Sequence, residues 1–209
     1  IVKALFNRPW YIGDTINIGI GQSYWTATPV QLTQSITTLV NKGRRIIPQI
    51  IRGNMQKETV VVQAIKERRP IVIKNEHNWD MVLDAMYGTV NREGSARNAF
   101  RGAHYISAGK TGTAQLVSIA QDEKYDASKL SKKNHDNAMY VGYAPYDKPQ
   151  IVLSVVLENA GHGGAEAAPI ARKMMDNYFK NQTFPEHKVI EPLGQNREEL
   201  ELTQPGTQP

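Results

Sequence analysis

Hydrophobic positions along the chain gather into short periodic runs separated by long polar stretches. Between Pro29 and Val40, the residues Val30, Ile36, Leu39 and Val40 recur at helical spacing. Thr28 stands where an N-cap belongs, Pro29 suits the first turn, and Asn41-Lys42-Gly43 stops the run. A second helix is predicted from about Asn78 to Val90, with Trp79, Val82, Leu83, Met86 and Val90 on one face and Glu93-Gly94-Ser95 as its break. A third runs from Glu166 to Phe179, with Pro169 in its first turns. Alternation replaces this period in His104 to Leu116, Ala138 to Tyr143 and Gln150 to Leu157, which predict three strands. The last two are joined by the turn Ala144-Pro145-Tyr146-Asp147-Lys148-Pro149. Arg45 to Arg52 and Thr59 to Ala64 predict a peripheral hairpin of short strands.

The remaining segments lack a period. Residues 13–28, rich in Gly and Thr, read as a loop, and residues 118–136, polar and basic, as a long mobile loop. From about Asn181 the composition turns to Pro, Glu, Gln and Thr, so one domain is expected over residues 1–180, with a disordered tail over 181–209. Strands in succession flanked by helices predict an α+β fold, an antiparallel sheet covered by helices, rather than a βαβ chain.

Composition narrows the class without naming a function. The 209 residues are 40% hydrophobic with a net charge of +5, enough for one domain with a sizeable core. The positive charge is scattered over Lys42/Arg44/Arg45, Lys66/Arg68/Arg69 and Lys129/Lys132/Lys133, at or beside turns and without interleaved aromatics. That distribution suits solvated loops, not a nucleic-acid face. With no cysteine, a disulfide scaffold and a thiolate metal centre are excluded. The five histidines lack ligand spacing, His162 lies in the Gly-rich stretch GHGGAE, and no metal or cofactor is expected. No apolar run approaches the roughly 20 residues of a membrane helix. The opening IVKALFNRPW has neither an initiating Met nor a signal-like apolar core, and reads as part of a longer chain with any anchor or export signal upstream.

The chemistry is concentrated in residues 105–115, YISAGKTGTAQ. A phosphate loop ending in Gly109-Lys110-Thr111 would need glycine at position 104, which is His104, and a loop where the pattern is a strand. The aspartyl-phosphate motif of ion pumps would need a carboxylate before Lys110, where Gly109 stands. Gly19 and Gly21 open no dinucleotide fingerprint, because Tyr24 holds the third position; Tyr24 and Trp25 are expected in the core. The third possibility is the lysine-threonine-glycine strand of penicillin-recognising enzymes. Alternation puts Thr111 and Thr113 on one face, and Lys110 and Gly112 on the other. Two hydroxyls on one face suit a carboxylate, the lysine adds positive charge, and Gly112 lets a peptide lie close along the strand edge. On those letters alone, a threonine-rich edge strand with an exposed lysine is an equally good reading.

The flanks break the tie. GDTINIGIGQSYWTATPVQLTQSITTLVNKG, AGKTGTAQ and AMYVGYAPYDKPQIVLSVVLEN follow one another as a Gly-x-Gly-Gln loop with a TP-x-Q helix, a motif strand, and two closing strands with a helix. In that order they closely resemble class B penicillin-binding proteins, nearest to the branch serving cell elongation in Gram-negative rods. The resemblance covers roughly residues 10–180. It implies the C-terminal half of a penicillin-binding transpeptidase fold, with three of the five strands of its sheet.

The resemblance also implies roles. Lys110 would support the proton relay and position a serine of the second active-site motif; the Thr111 and Thr113 hydroxyls would hold the terminal carboxylate of a substrate or β-lactam. The backbone N–H of Thr113 would be one oxyanion donor, and Gly112 would allow close approach. The implied activity is DD-transpeptidation: cross-linking stem peptides ending in D-Ala-D-Ala through a serine acyl-enzyme, with β-lactams as ligands. The implied setting is the periplasmic face of the bacterial inner membrane, anchored by an upstream helix, beside a membrane glycosyltransferase and other elongation proteins.

Two of the family's three motifs are missing. No Ser-x-Asn or Ser-x-Asp occurs, and the only Ser-x-x-Lys spelling is Ser107 to Lys110, inside the expected strand, where residues three apart do not share a face. Ser107 is therefore expected to be a strand residue, the nucleophile to lie outside these residues, and the isolated piece to be inactive. A non-catalytic β-lactam sensor or cell-wall binding module of the same fold is the alternative, and an upstream Ser-x-x-Lys would separate the two.

Overall fold

The computed structural model of the chain describes residues 7–22, 26–51, 53–56, 59–116 and 130–183. Tyr24, Trp25, most of the expected long loop and nearly all of the expected tail lie outside them. The centre is an antiparallel sheet in the order β5 (Ala108–Ala114), β6 (Asn137–Ala144), β7 (Ile151–Leu157). Register is continuous, with Lys110 opposite Val141, Thr111 opposite Tyr140 and Thr113 opposite Ala138. Because paired residues share a face, Gly109, Thr111 and Thr113 lie with Tyr140 on one side, and Lys110 and Gly112 with Val141 and Met139 on the other.

Helices cover both faces. On the Tyr140 side packs α5 (Ala167–Phe179), whose Ala167, Ala168 and Ala171 let the helix approach the sheet closely while Met175 and Phe179 fill the core. The end of α3 (His77–Asn91), through Val90, and the short α4 (Arg97–Phe100), through Phe100, complete this cluster. On the opposite side, α2 (Pro29–Val40) and α3 bring Ile36, Leu39, Val40, Met86 and Tyr87 onto Ala108, Tyr143 and Val152. The start of α2 is the expected one: the Thr28 hydroxyl accepts the Gln31 N–H, and Pro29 occupies the first turn.

Other expectations need correction. Residues 12–19 are not loop but a helix, α1 (Ile12–Gly19), whose first turn is held by Asp14. The Asp14 carboxylate accepts the Tyr11 N–H at 2.9 Å and both Arg8 guanidinium N–H groups at 2.8 Å. The stretch Arg45–Arg52 does not form one strand. β1 (Arg45–Ile46) pairs with β4 (Glu67–Arg68), and only β2 (Gly53–Gln56) forms the hairpin with β3 (Thr59–Val62). Val30 and Val82, expected on apolar stripes, are exposed. Val30 instead lines an apolar cavity of about 470 Å³ with Pro29, Thr33, Ile46 and Ser154. The motif strand begins at Ala108, not His104, so Ser107 stands just before it. Within the expected loop 118–136, residues Lys132–Asn134 form a 3-10 turn.

Candidate active site

β5 is the end strand of its sheet, so one edge of it faces no other strand among the described residues. Two constraints hold it there. At its start, the Tyr105 hydroxyl donates to Asp176 at 2.8 Å, Arg172 donates to the same carboxylate at 2.6 Å, and the Tyr105 ring packs on Phe179 at 4.9 Å. Burial drives the Tyr105 phenol pKa upward, so this hydroxyl stays a donor. Beside it, Asn91 at the end of α3 donates to the Ser107 carbonyl at 2.7 Å.

Along the free edge, the Lys110 ammonium donates to the Thr111 carbonyl at 2.8 Å, and the Gln22 carboxamide donates to the Thr113 carbonyl at 2.9 Å. Those carbonyls point away from β6. Since the N–H and C=O of one strand residue face the same way in an antiparallel ladder, the Thr113 N–H lies on the free edge as well. Lys110 is exposed, whereas Thr111, Gly112 and Thr113 are half-buried. The chain thus presents an ammonium group, two hydroxyls on the opposite face, and an outward-facing backbone, all within four residues.

Gly112 and its neighbours separate packing from ligand requirements. A methyl group on Gly112 would meet Met139 only at ordinary contact distance, 3.4 Å, so the sheet itself does not demand glycine there. Gly163, in the loop between β7 and α5, is different: a methyl group on it would stand 2.2 Å from the Met139 carbonyl and 2.3 Å from that of Gly112. The Gly-rich stretch containing His162 is therefore pressed flat against the motif strand. The His162 carbonyl accepts the N–H groups of Ala165 and Glu166 to start the turn into α5. Among the described residues no group of three His, Cys, Asp or Glu side chains is placed to hold a metal.

Ser107 cannot attack a substrate from this position. It is 1% exposed and its hydroxyl lies buried without a hydrogen-bond partner, while the exposed Lys110 places its ammonium on the Thr111 carbonyl.

Two contacts to the motif were not foreseen. One is Gln22, delivered across 91 sequence positions. The other is Ser95, whose hydroxyl meets that of Thr111 at 2.6 Å. Ser95 sits in the bend after α3, which Arg92 clamps by donating to both Asp84 oxygens at 2.8 and 3.0 Å and by lying 5.0 Å over the Tyr87 ring. The Asp84 carboxylate raises the Arg92 pKa above its ordinary value, so the clamp stays charged.

A profile of the penicillin binding protein transpeptidase domain matches residues 4–176. The chain belongs to that family. Among its relatives, the peptidoglycan D,D-transpeptidase MrdA of Haemophilus influenzae is 42% identical over 200 residues, covering 92% of this chain and 30% of that protein. The chain thus spans less than a third of that relative. The structure of Pseudomonas aeruginosa PBP2 in complex with WCK 5153 superposes with a TM-score of 0.67 at 30% identity, over 87% of this chain and 37% of that one. The complex between PBP2 and MreC from Helicobacter pylori shares the fold, with a TM-score of 0.69 at 24% identity, over 86% of this chain and 30% of that one. The expected transpeptidase fold is therefore present, and no helix among the described residues is long and apolar enough to cross a membrane.

Proposed function

We propose that this chain supplies the substrate-binding strand of a peptidoglycan DD-transpeptidase that cross-links D-Ala-D-Ala stem peptides during cell elongation and is acylated by β-lactams. The observation that carries the reading is the free edge of β5, where Lys110, Thr111 and Thr113 converge on a backbone with outward N–H and C=O groups. An extended stem peptide pairs with that edge as an added strand. The hydroxyls of Thr111 and Thr113 bind its terminal carboxylate, and the Lys110 charge strengthens the contact.

The attacking serine and the serine of the second motif come from parts of the protein outside these residues. When the serine attacks the D-Ala-D-Ala carbonyl, the Thr113 N–H stabilises the oxygen that becomes negative, jointly with a second donor. Lys110 holds the second-motif serine so that the proton removed from the nucleophile reaches the departing D-Ala. Loss of D-Ala leaves the acyl-enzyme, which the amine of a neighbouring stem peptide then resolves; a β-lactam stops at the acyl stage. The whole protein is placed at the periplasmic face of the inner membrane, held by a helix outside this chain, with a membrane glycosyltransferase and proteins of the MreC kind as partners.

The test is β-lactam acylation of the complete protein followed by stopped flow. Lys110→Ala is expected to slow acylation by about 10²- to 10⁴-fold, the contribution of a positioned proton-transfer group, without lowering Tm, because Lys110 is exposed. Acylation at the wild-type rate contradicts the reading.

A further inference from the structure

Ser95, which meets the Thr111 hydroxyl, lies outside the lysine-threonine-glycine motif, and nothing in that motif requires it. We propose that Ser95 is a positioning residue that polarises the Thr111 hydroxyl toward an anionic, acceptor-only group, the terminal carboxylate of the substrate. The proposal rests on the reading above, in which Thr111 belongs to the carboxylate subsite.

Proton counting carries the argument. Each hydroxyl holds one hydrogen and can accept two. In a contact of 2.6 Å one of the two hydrogens lies between the oxygens, and the other is free to point elsewhere. If Thr111 donates to Ser95, its own hydrogen is spent inward and Thr111 offers a ligand only lone pairs, which repel a carboxylate. If Ser95 donates to Thr111, the Thr111 hydrogen turns outward and the two bonds run in series, Ser95 to Thr111 to carboxylate, each strengthening the other. An arriving carboxylate selects the second arrangement. Ser95 therefore serves the anion without touching it.

The backbone around Ser95 is held in place, which keeps its hydroxyl within reach of Thr111. The Ala96 N–H donates to the Thr89 carbonyl at 3.1 Å, and the Arg97 N–H to the Gly94 carbonyl at 3.1 Å. Gly164 is pressed so close that a methyl group on it would stand 2.6 Å from the Ser95 carbonyl. The bend is thus fixed from α3 on one side and from the Gly-rich loop on the other. The same loop lies on Gly112 through Gly163, so Ser95 and the motif strand share one brace.

The experiment compares two acylating ligands on the complete protein: a penicillin with its free carboxylate, and the methyl ester of the same penicillin. Ser95→Ala is expected to lower acylation by the acid on the order of tenfold, as for losing support to a hydrogen bond with a charged group. The loss should appear in the half-saturation concentration, with the limiting rate preserved. The ester should react as it does with the wild-type protein, and Ser95→Thr should restore the acid. An equal loss for acid and ester overturns the proposal and makes Ser95 a purely structural residue. An unchanged rate with the acid overturns it too. A wild-type protein that does not distinguish acid from ester removes Thr111 from the carboxylate subsite, so that result overturns the underlying reading and this inference together.

Discussion

β5 and β6 are hydrogen-bonded neighbours of similar length, yet they obey different demands. Along β6, Ala138, Tyr140, Tyr143 and Ala144 are each no more than 1% exposed, and Tyr140 stacks on Phe100 at 5.5 Å. Along β5 only Ala108 and Gly109 are buried, and nothing between Lys110 and Ala114 enters either core cluster. In β6, removing a side chain should remove stability. In β5, the proposed reading gives the residues from Lys110 to Thr113 to a ligand, so removing one should spare the fold and remove chemistry.

The largest effect that would sharpen this contrast lies on β6. Tyr140→Ala deletes a fully buried ring and should cost about 3–5 kcal/mol, in the range of other buried aromatics, read as a lowered Tm of the complete protein. The fraction still folded should acylate at the wild-type rate. A Tyr140→Ala protein with unchanged Tm would break the comparison.

A smaller effect is expected at Gln22, which reaches the edge from outside. Its bond to the Thr113 carbonyl is one neutral hydrogen bond, worth about 0.5–1.5 kcal/mol. Gln22→Ala should therefore leave Tm nearly unchanged and alter acylation only a few-fold. A loss as large as that of Lys110→Ala would mean that Gln22, not the motif, organises the edge.

The smallest effect concerns pH. The segment leading to Gln22 starts at α1, whose first turn depends on ionised Asp14. The hydrogen bonds from Arg8, followed by that from the Tyr11 N–H, lower the Asp14 pKa from 3.8 to about 2. A carboxylate with a lowered pKa contributes above its unfolded value and loses the contribution as pH falls through the folded one. This pair should therefore contribute fully and without pH dependence between about pH 5 and 8, and be lost progressively below about pH 5, as pH falls toward the folded value of about 2. Asp14→Asn should lower Tm slightly near neutral pH and flatten the acid fall, so that the gap to wild type closes as pH approaches about 2, which a Tm series against pH would show.

The parts legible in the sequence were those set by local rules. The Thr28-Pro29 start of α2, the face assignment within Lys110 to Thr113 and the three central strands follow from capping and from a period of two. α1 escaped because its first turn is secured by Arg8 and Asp14 instead of a serine or threonine cap, and its Ile12 and Ile16, with Ile20 just past its end, remain exposed. β1 falls within the expected strand, but its partner Glu67–Arg68 and the hairpin strand Gly53–Gln56 escaped, because the alternation over Arg45 to Arg52 did not mark where pairing begins. Val30 and Val82 had the right spacing, yet among the described residues both stay exposed. Ser95 carried no local signal, and Gln22 only that of the Gly-x-Gly-Gln loop without a role, since each meets the motif only after the chain has folded back 16 or 91 positions.

The most direct test of the central claim is Gly112→Ala in the complete protein, with Tm and the β-lactam acylation rate measured on the same preparation. The sheet offers a methyl group ordinary contact with Met139, so glycine is required there only if a ligand lies against the strand. The account predicts a Tm within about 4 °C of wild type, the shift expected for about 1 kcal/mol in a domain of this size or larger, together with acylation slowed on the order of tenfold or more by lost close approach. Wild-type acylation, or a loss of rate that merely follows a collapse in Tm, would contradict it.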